Sequence, residues 1–296
     1  MRYAVISQNC DGLKTGPALP FDKILSMDPD VYVEMTQEDA RHVDSGSLLA
    51  PELLHDYRVL TTVSLNSGAS SQNLIMTCWI KGGHNAFFVT GSHAVSPSGS
   101  NIALMAQRAV KGYSKGAVYL KLMLDKPILF INMHLPVKTG VGLFTRKLIN
   151  NTMGLKYRHR VLLDLLRGLA YLVDRNTTVF VGGDLNFRMD ANGTDQLTQI
   201  LANERLPYGL QDLDANYLTC KFTKPNRPCR TRRARRPSAA YLANVQKNCG
   251  ANDRVPSRCD RFLIGSPWSY KIHFQNTGVF LPESDHNGIY ICFDVL

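Results

Sequence analysis

The chain has 296 residues, 44% of them hydrophobic, enough to bury a large α/β core, and no apolar run reaches the ~18 residues of a membrane-spanning helix. Its net charge of +10 is uneven: the segment Lys224–Arg236 holds seven basic and no acidic residues, leaving +3 for the rest. Three readings of that segment stand side by side: an anionic membrane surface, a nucleic acid, or a solvated loop without a partner. The seven cysteines are odd in number and contain no CxxC pair, which argues against a disulfide framework or a zinc site. A bridge among Cys220, Cys229 and Cys249 stays open.

In chain order, Tyr3–Ser7 reads as the first strand rather than as a secretory leader, so an intracellular, cytoplasmic protein is expected, with the nucleus as the alternative suggested by the basic run. Phe21–Met27 reads as a short helix. Val31–Met35, Tyr57–Val63, Leu74–Ile80, Ala86–Thr90, Ala117–Leu124, Ile128–Met133, Thr178–Val181, Asp260–Ile264 and Ile289–Phe293 are short runs rich in β-branched and aromatic residues, hence strands. Tyr157–Asp174 carries Val161, Leu162, Leu165, Leu166, Leu169 and Leu172 on one helical face, and Gln196–Ala202 is a shorter helix. The Lys81-Gly82-Gly83-His84 connection is hairpin-like and points to antiparallel pairing. Segments 66–72 and 92–101 read as loops, and 224–252 as a long basic insertion. The pattern is that of an α/β (α+β) domain of two packed sheets, mostly antiparallel, with helices outside, spanning 1–296 without a linker.

Polar groups gather at strand ends. Asn9 and Asp11 follow the first strand, Glu38 the second, His134 the Ile128–Met133 strand, and Asp184 and Asn186 the Thr178–Val181 strand, while Asp285 and His286 precede the last. Taken singly, each is an ordinary turn or cap; the ordered set is the signal. Oxygen ligands of this kind suit a hard cation such as magnesium, with manganese as the alternative, and such an ion polarises a phosphate ester.

The series Ser7–Leu13, Gln37-Glu38, Gly183–Asn186 and Ser284-Asp285-His286 resembles the endonuclease/exonuclease/phosphatase superfamily in content and order. Finer features resemble its inositol polyphosphate 5-phosphatase branch: Pro29–Val33 before Gln37-Glu38, Ser114–Val118, Asn132–Leu135, Gly-Asp-Leu-Asn-Phe-Arg at 183–188, and Arg254–Leu263 with its Cys259-Asp260-Arg261. The sequence departs from that branch at Arg258, where the branch has Trp, and at Asp253, where it has a basic residue. Its Pro-Thr-Tyr-Lys motif has no clear copy, the nearest stretch being Lys221–Pro225.

The resemblance implies a four-layer sandwich and a magnesium-dependent phosphatase that removes the 5-phosphate of inositol polyphosphates or phosphoinositides by metal-assisted water attack. A nuclease is the alternative, favoured by Asn9–Leu13 and the arginine run, and an inactive anion-binding module is the third reading. It implies Glu38 as metal ligand, helped by Asn9, Asp11 and Asp285. Asp184, Asn186, His134, and His286 held by Asp260 would be the catalytic groups. For substrate it offers Lys115, Arg158, Arg188, Lys221, Lys224 and Arg254. Lys115 could equally be a solvated strand end, Arg158 part of a solvated helix face, and Arg188 a pin for its own loop.

Overall fold

The computed structural model describes residues 1–10, 24, 26–40, 55–65, 73–95, 102–103, 115–136, 152–188, 195–213, 219, 258–278, 284 and 286–296. Its strands are β1 (Arg2–Asn9), β2 (Val31–Asp39), β3 (Tyr57–Leu65), β4 (Asn73–Lys81), β5 (Phe87–Val95), β6 (Ile102–Ala103), β7 (Gly116–Met123), β8 (Ile128–His134), β9 (Thr178–Asp184), β10 (Gln211–Asp212), β11 (Asp260–Gly265), β12 (Tyr270–Gly278) and β13 (Gly288–Val295). The helices are α1 (Thr152–Gly168) and α2 (Gln196–Asn203). One sheet has six strands in the order β12-β13-β1-β2-β4-β3, the other seven in the order β10-β11-β9-β8-β7-β5-β6. Pairing is antiparallel except for β1 with β2 and β8 with β9.

The period-two alternation of strands splits the apolar residues into two cores. On β8, Ile128 and Phe130 join the inter-sheet core with Val5, Val33, Phe180, Phe262 and Phe293. Leu129, Ile131 and Met133 face the other way, against Leu162, Leu165 and Leu169 of the α1 region. Phe180 of β9 stacks on Phe293 of β13 with ring centroids 5.2 Å apart, which joins the two sheets directly. Ala4, Ile6 and Tyr32 point away from that core and are buried as well. Both faces of the six-stranded sheet are therefore covered, as four layers require, and the expected sandwich of two mostly antiparallel sheets flanked by helices is the observed one.

Several details differ from the sequence reading. Lys81–His84 does make a turn, with Gly83 at φ +91 and the His84 N–H bonded to the Lys81 carbonyl. Yet β4 lies in one sheet and β5 in the other, so the turn is an arch between sheets, not a hairpin. Turn residues encode a local reversal; which sheet the next strand joins depends on its buried face. Ser92–Val95, read as loop, completes β5, with Ser92, His93 and Ala94 opposite Val118, Ala117 and Gly116 of β7 and Val95 opposite Ile102 of β6. The long helix begins at Thr152 and ends at Gly168, followed by a 3-10 turn at Ala170–Leu172. β12 was not anticipated: among the described residues it is an edge strand paired with β13, bulged between Ile272 and Phe274, and half exposed, so it lacks the apolar alternation that marks a buried strand. Cys10, Cys78, Cys259 and Cys292 are buried thiols. Most of the Phe21–Met27 helix, segments 66–72 and 96–101, the insertion 224–252 and Cys220, Cys229 and Cys249 lie outside the described residues. Among the described residues no helix is long and apolar enough to cross a membrane.

Candidate active site

Strands β1, β2, β8 and β9 run toward one end of the sandwich, and β11 and β13 start from it. Alternation then aims the side chains. Asn9, His134, Asp184 and Asp260 each stand an even number of residues from a member of the inter-sheet core on the same strand (Val5, Phe130, Phe180 and Phe262), so they share its face at the open end. Register places Asp184 opposite His134 on one side and opposite Asp260 on the other. Gly183 makes this approach possible: at φ +129, a Cβ there would lie 2.0 Å from the Met133 carbonyl oxygen.

Glu38 obeys a different rule. Val31, Val33 and Met35 face inward, and Gln37 does too, its Nε2 donating to Asn132 Oδ1 at 2.8 Å across the sheets. Alternation would send Glu38 to the outer face. A β-bulge intervenes: Thr36 pairs with Ile75 but Asp39 with Asn73, one extra residue on β2, and Glu38 sits at φ 50. The bulge turns Glu38 back into the site, with Oε1 3.5 Å from His134 Nε2 and 3.3 Å from Lys115 Nζ. Asn186 is also left-handed, at φ 54. Strain of this sort, ~1–3 kcal/mol per residue, persists where the surroundings hold it.

Asp184 is the hub. Its Oδ1 accepts the Asn186 backbone N–H at 3.0 Å, and its Oδ2 accepts Asn9 Nδ2 at 2.9 Å, with His134 Nε2 at 3.5 Å and His286 Nε2 at 4.0 Å. Burial by itself would raise this carboxyl; the His134 hydrogen bond and the nearby His286 and Lys115 charges hold it well below the usual carboxylate range. Glu38 is lowered in the same way, burial being outweighed by His134 and Lys115. His134 is pushed down by burial and then by Lys115, which favours a neutral ring. Its Nε2 faces the Glu38 and Asp184 carboxylates and is also the ring nitrogen nearer the Lys115 ammonium, which lies 3.2 Å from Nδ1.

His286 Nδ1 lies 2.8 Å from Asp260 Oδ2, which fixes the tautomer and leaves Nε2 toward Asp184. Two hydroxyls brace the pair. Ser284 Oγ donates to the Asn9 carbonyl at 2.8 Å and accepts the His286 N–H at 3.1 Å. Thr219 Oγ1 accepts the Asp260 N–H at 2.9 Å, and its carbonyl accepts the Asn287 N–H at 2.7 Å. Thr219 belongs to no motif, and nothing in the sequence marks it.

Of the expected substrate groups, Lys115 reaches the site. Arg158 and Arg188 are fully buried, which excludes a solvated face for Arg158. Arg188 Nη2 donates to Asn186 Oδ1 at 2.9 Å, so it pins its own loop. Asp11, Asp285, Lys221, Lys224 and Arg254 lie outside the described residues.

Asp184, Asp260 and His286 bring ligand-type atoms within 4.8 Å of one another. Because Asp260 and His286 spend their facing atoms on each other, the trio reads as a hydrogen-bonded relay rather than a cage. Glu38 fits a cation better. It stays ionised, its side chain is 27% exposed at the mouth, and Asn9, whose amide N–H bonds Asp184, brings an amide oxygen to the same strand ends. An open set of one carboxylate and one amide oxygen suits magnesium, which keeps several waters.

Two stacked sheets with carboxylates and imidazoles at their shared end form a phosphoesterase scaffold. A family model described as Endonuclease/Exonuclease/phosphatase family 2 matches residues 6–292, and the chain belongs to the endonuclease/exonuclease/phosphatase family. Enzymes of this superfamily are generally dependent on a divalent metal. No curated protein matches the sequence. Among solved structures, the chain is similar to the inositol polyphosphate 5-phosphatase domain of SPsynaptojanin in complex with inositol (1,4)-bisphosphate and calcium (19% identity, 99% of this chain and 84% of that one, TM-score 0.58). It is similar to a Cimex nitrophorin in a ferrous NO complex (14%, 99% and 98%, TM-score 0.59). It is also similar to D. rerio TDP2 complexed with single-strand DNA product (14%, 99% and 99%, TM-score 0.52). At these identities the likeness establishes the fold alone. A nitrophorin on the same architecture makes plain that side chains, not fold, decide the activity.

Proposed function

We propose that this protein is a magnesium-dependent phosphatase that hydrolyses a phosphate ester on a phosphorylated inositol ring, soluble or lipid-borne. The observation that carries the reading is the Asp260–His286 hydrogen bond facing an ionised, buried Asp184. It joins the Gly183–Arg188 and Cys259–Arg261 motifs, which together resemble the 5-phosphatase branch, across one strand pair.

A cation bound at Glu38 and Asn9 would supply charge to the phosphoryl oxygens. The chain's own groups do the rest. Asp184 orients the attacking water and can take its proton at Oδ2. With Nδ1–H held by Asp260, His286 donates to a phosphoryl oxygen through Nε2–H in its imidazolium form. His134 and the Lys115 ammonium add donors where negative charge grows, each worth roughly 3 kcal/mol by analogy with oxyanion-hole donors.

The test is phosphate release, with magnesium, from soluble inositol polyphosphates and from phosphoinositide vesicles. Release from neither refutes the substrate class. Asn9–Leu13 and the Lys224–Arg236 run favour a second reading, a nuclease. Cleavage of single-stranded, duplex or abasic-site strands in the same panel would establish that reading instead.

A further inference from the structure

Gln196 opens helix α2, outside every motif singled out in the sequence, and is buried. Its Oε1 accepts from Arg158 Nη2 at 2.7 Å and from the Arg188 backbone N–H at 3.0 Å. Both partners are donors only, so this atom must be the amide oxygen. In return the Gln196 backbone N–H donates to the Arg188 carbonyl at 2.9 Å. Residues 188 and 196 are thus clamped by two reciprocal bonds. Asp195 sets the clamp: its Oδ1 accepts the Thr198 N–H at 3.0 Å as the α2 cap, and its Oδ2 bonds Arg261, the residue after Asp260.

The clamp controls how Asn186 is used. Arg188 Nη2 holds Asn186 Oδ1 at 2.9 Å, and Asn186 Nδ2 donates one of its two hydrogens to the Leu135 carbonyl at 2.8 Å. The Asn186 oxygen is thus already engaged by a buried guanidinium. What the amide can offer the site is therefore its second N–H, a donor suited to a phosphoryl oxygen. Two buried arginines side by side repel each other: burial, and then the Arg188 charge, pulls Arg158 down to about 10. The Gln196 oxygen accepts from the Arg158 guanidinium and from the Arg188 backbone N–H, which ties both residues to the start of α2.

We propose that Gln196 is a positioning residue of the hydrolytic site, locking Arg188 onto Asn186 and so fixing Asn186 as a hydrogen-bond donor to the phosphoryl group. The proposal rests on the phosphoesterase reading and deepens it. Gln196→Met keeps the side chain's length and removes the acceptor; Gln196→Glu keeps the acceptor.

The experiment compares Gln196→Met, Gln196→Glu, Asn186→Ala and the Gln196→Met/Asn186→Ala double variant, with p-nitrophenyl phosphate and the inositol panel. Gln196→Met is expected to lower kcat about 10- to 100-fold at nearly constant KM. Gln196→Glu should stay within about threefold of wild type, and the double variant should be no slower than Asn186→Ala alone. Losses that multiply in the double variant overturn the proposal. A second readout does not depend on turnover: inorganic phosphate is titrated while the Asn186 side-chain amide signal is followed by 15N NMR, with thermal scans to confirm folding. The signal should shift in wild type and Gln196→Glu and not in Gln196→Met. An amide that does not respond in wild type, or responds equally in folded Gln196→Met, refutes the positioning role. Wild-type inactivity on every ester would instead sink the phosphoesterase reading, with the titration still deciding the role of Gln196.

Discussion

Arg261→Met should unfold the protein several degrees early, and the structure sets the size of the loss. The Arg261 guanidinium is wholly buried between Asp195, which it bonds through Nη2, and Asp212, with Nη1 2.7 Å from Asp212 Oδ2. The two carboxylates outweigh the desolvation that would lower the guanidinium's pKa and raise it instead. Removing one partner of a buried pair costs about 3–5 kcal/mol, because the other charge stays buried and uncompensated. Here Asp212 keeps Arg258, 3.2 Å away, so the orphan is chiefly Asp195 and the loss belongs near the lower figure, about 3 kcal/mol. For a chain of this length, at roughly 2.1 cal/mol/K per residue, that lowers Tm by about 5 °C. Thermal and urea unfolding measure it. Adding Asp195→Asn keeps the α2 cap while removing the stranded charge, so it should restore more than half the loss. A loss below about 1 kcal/mol, or no recovery with Asp195→Asn, would refute the reasoning.

Three more expectations follow from the site. Glu38→Gln should weaken manganese binding, read by electron paramagnetic resonance, by about 10-fold or more, since it removes the ionised ligand while keeping the bulge. Asp260→Asn should lower kcat by about 100-fold or more with a small change in KM, because the His286 tautomer is no longer dictated; an unchanged kcat would remove His286 from the reaction. Stability should fall with acid in two stages. Burial lowers the pKa of His93 and, together with Lys115, that of His134, so the unfolded chain takes up protons first and stability declines as pH drops below about 6.5. The lowered carboxyls of Asp184 and Glu38 add a second loss below about pH 4. His93→Gln should flatten the first stage in pH-dependent unfolding.

Much of this was legible in the sequence, for a physical reason. Buried strands must show apolar runs, and polar groups that end such runs fall together when the strands share a sheet. That is why Asn9, His134, Asp184, Asp260 and His286 could be named from strand ends and motifs. Edge elements escape that logic: β12 is half exposed and β10 is two residues long, so neither bears a pattern.

What the tertiary structure decided is direction and partnership. Sequence spacing sends Glu38 outward; only the extra residue of the β2 bulge, seen against β4, turns it to His134 and Lys115. The Gly82-Gly83 turn reads as a hairpin until β5 is seen in the other sheet. Arg158 reads as a phosphate ligand or a solvated helix face, and Arg188 as a phosphate ligand or a loop pin; both lie buried around Gln196, a residue with no motif of its own. Hydrogen-bond partners far apart in the chain are set by how layers pack, and a local pattern carries no record of that packing.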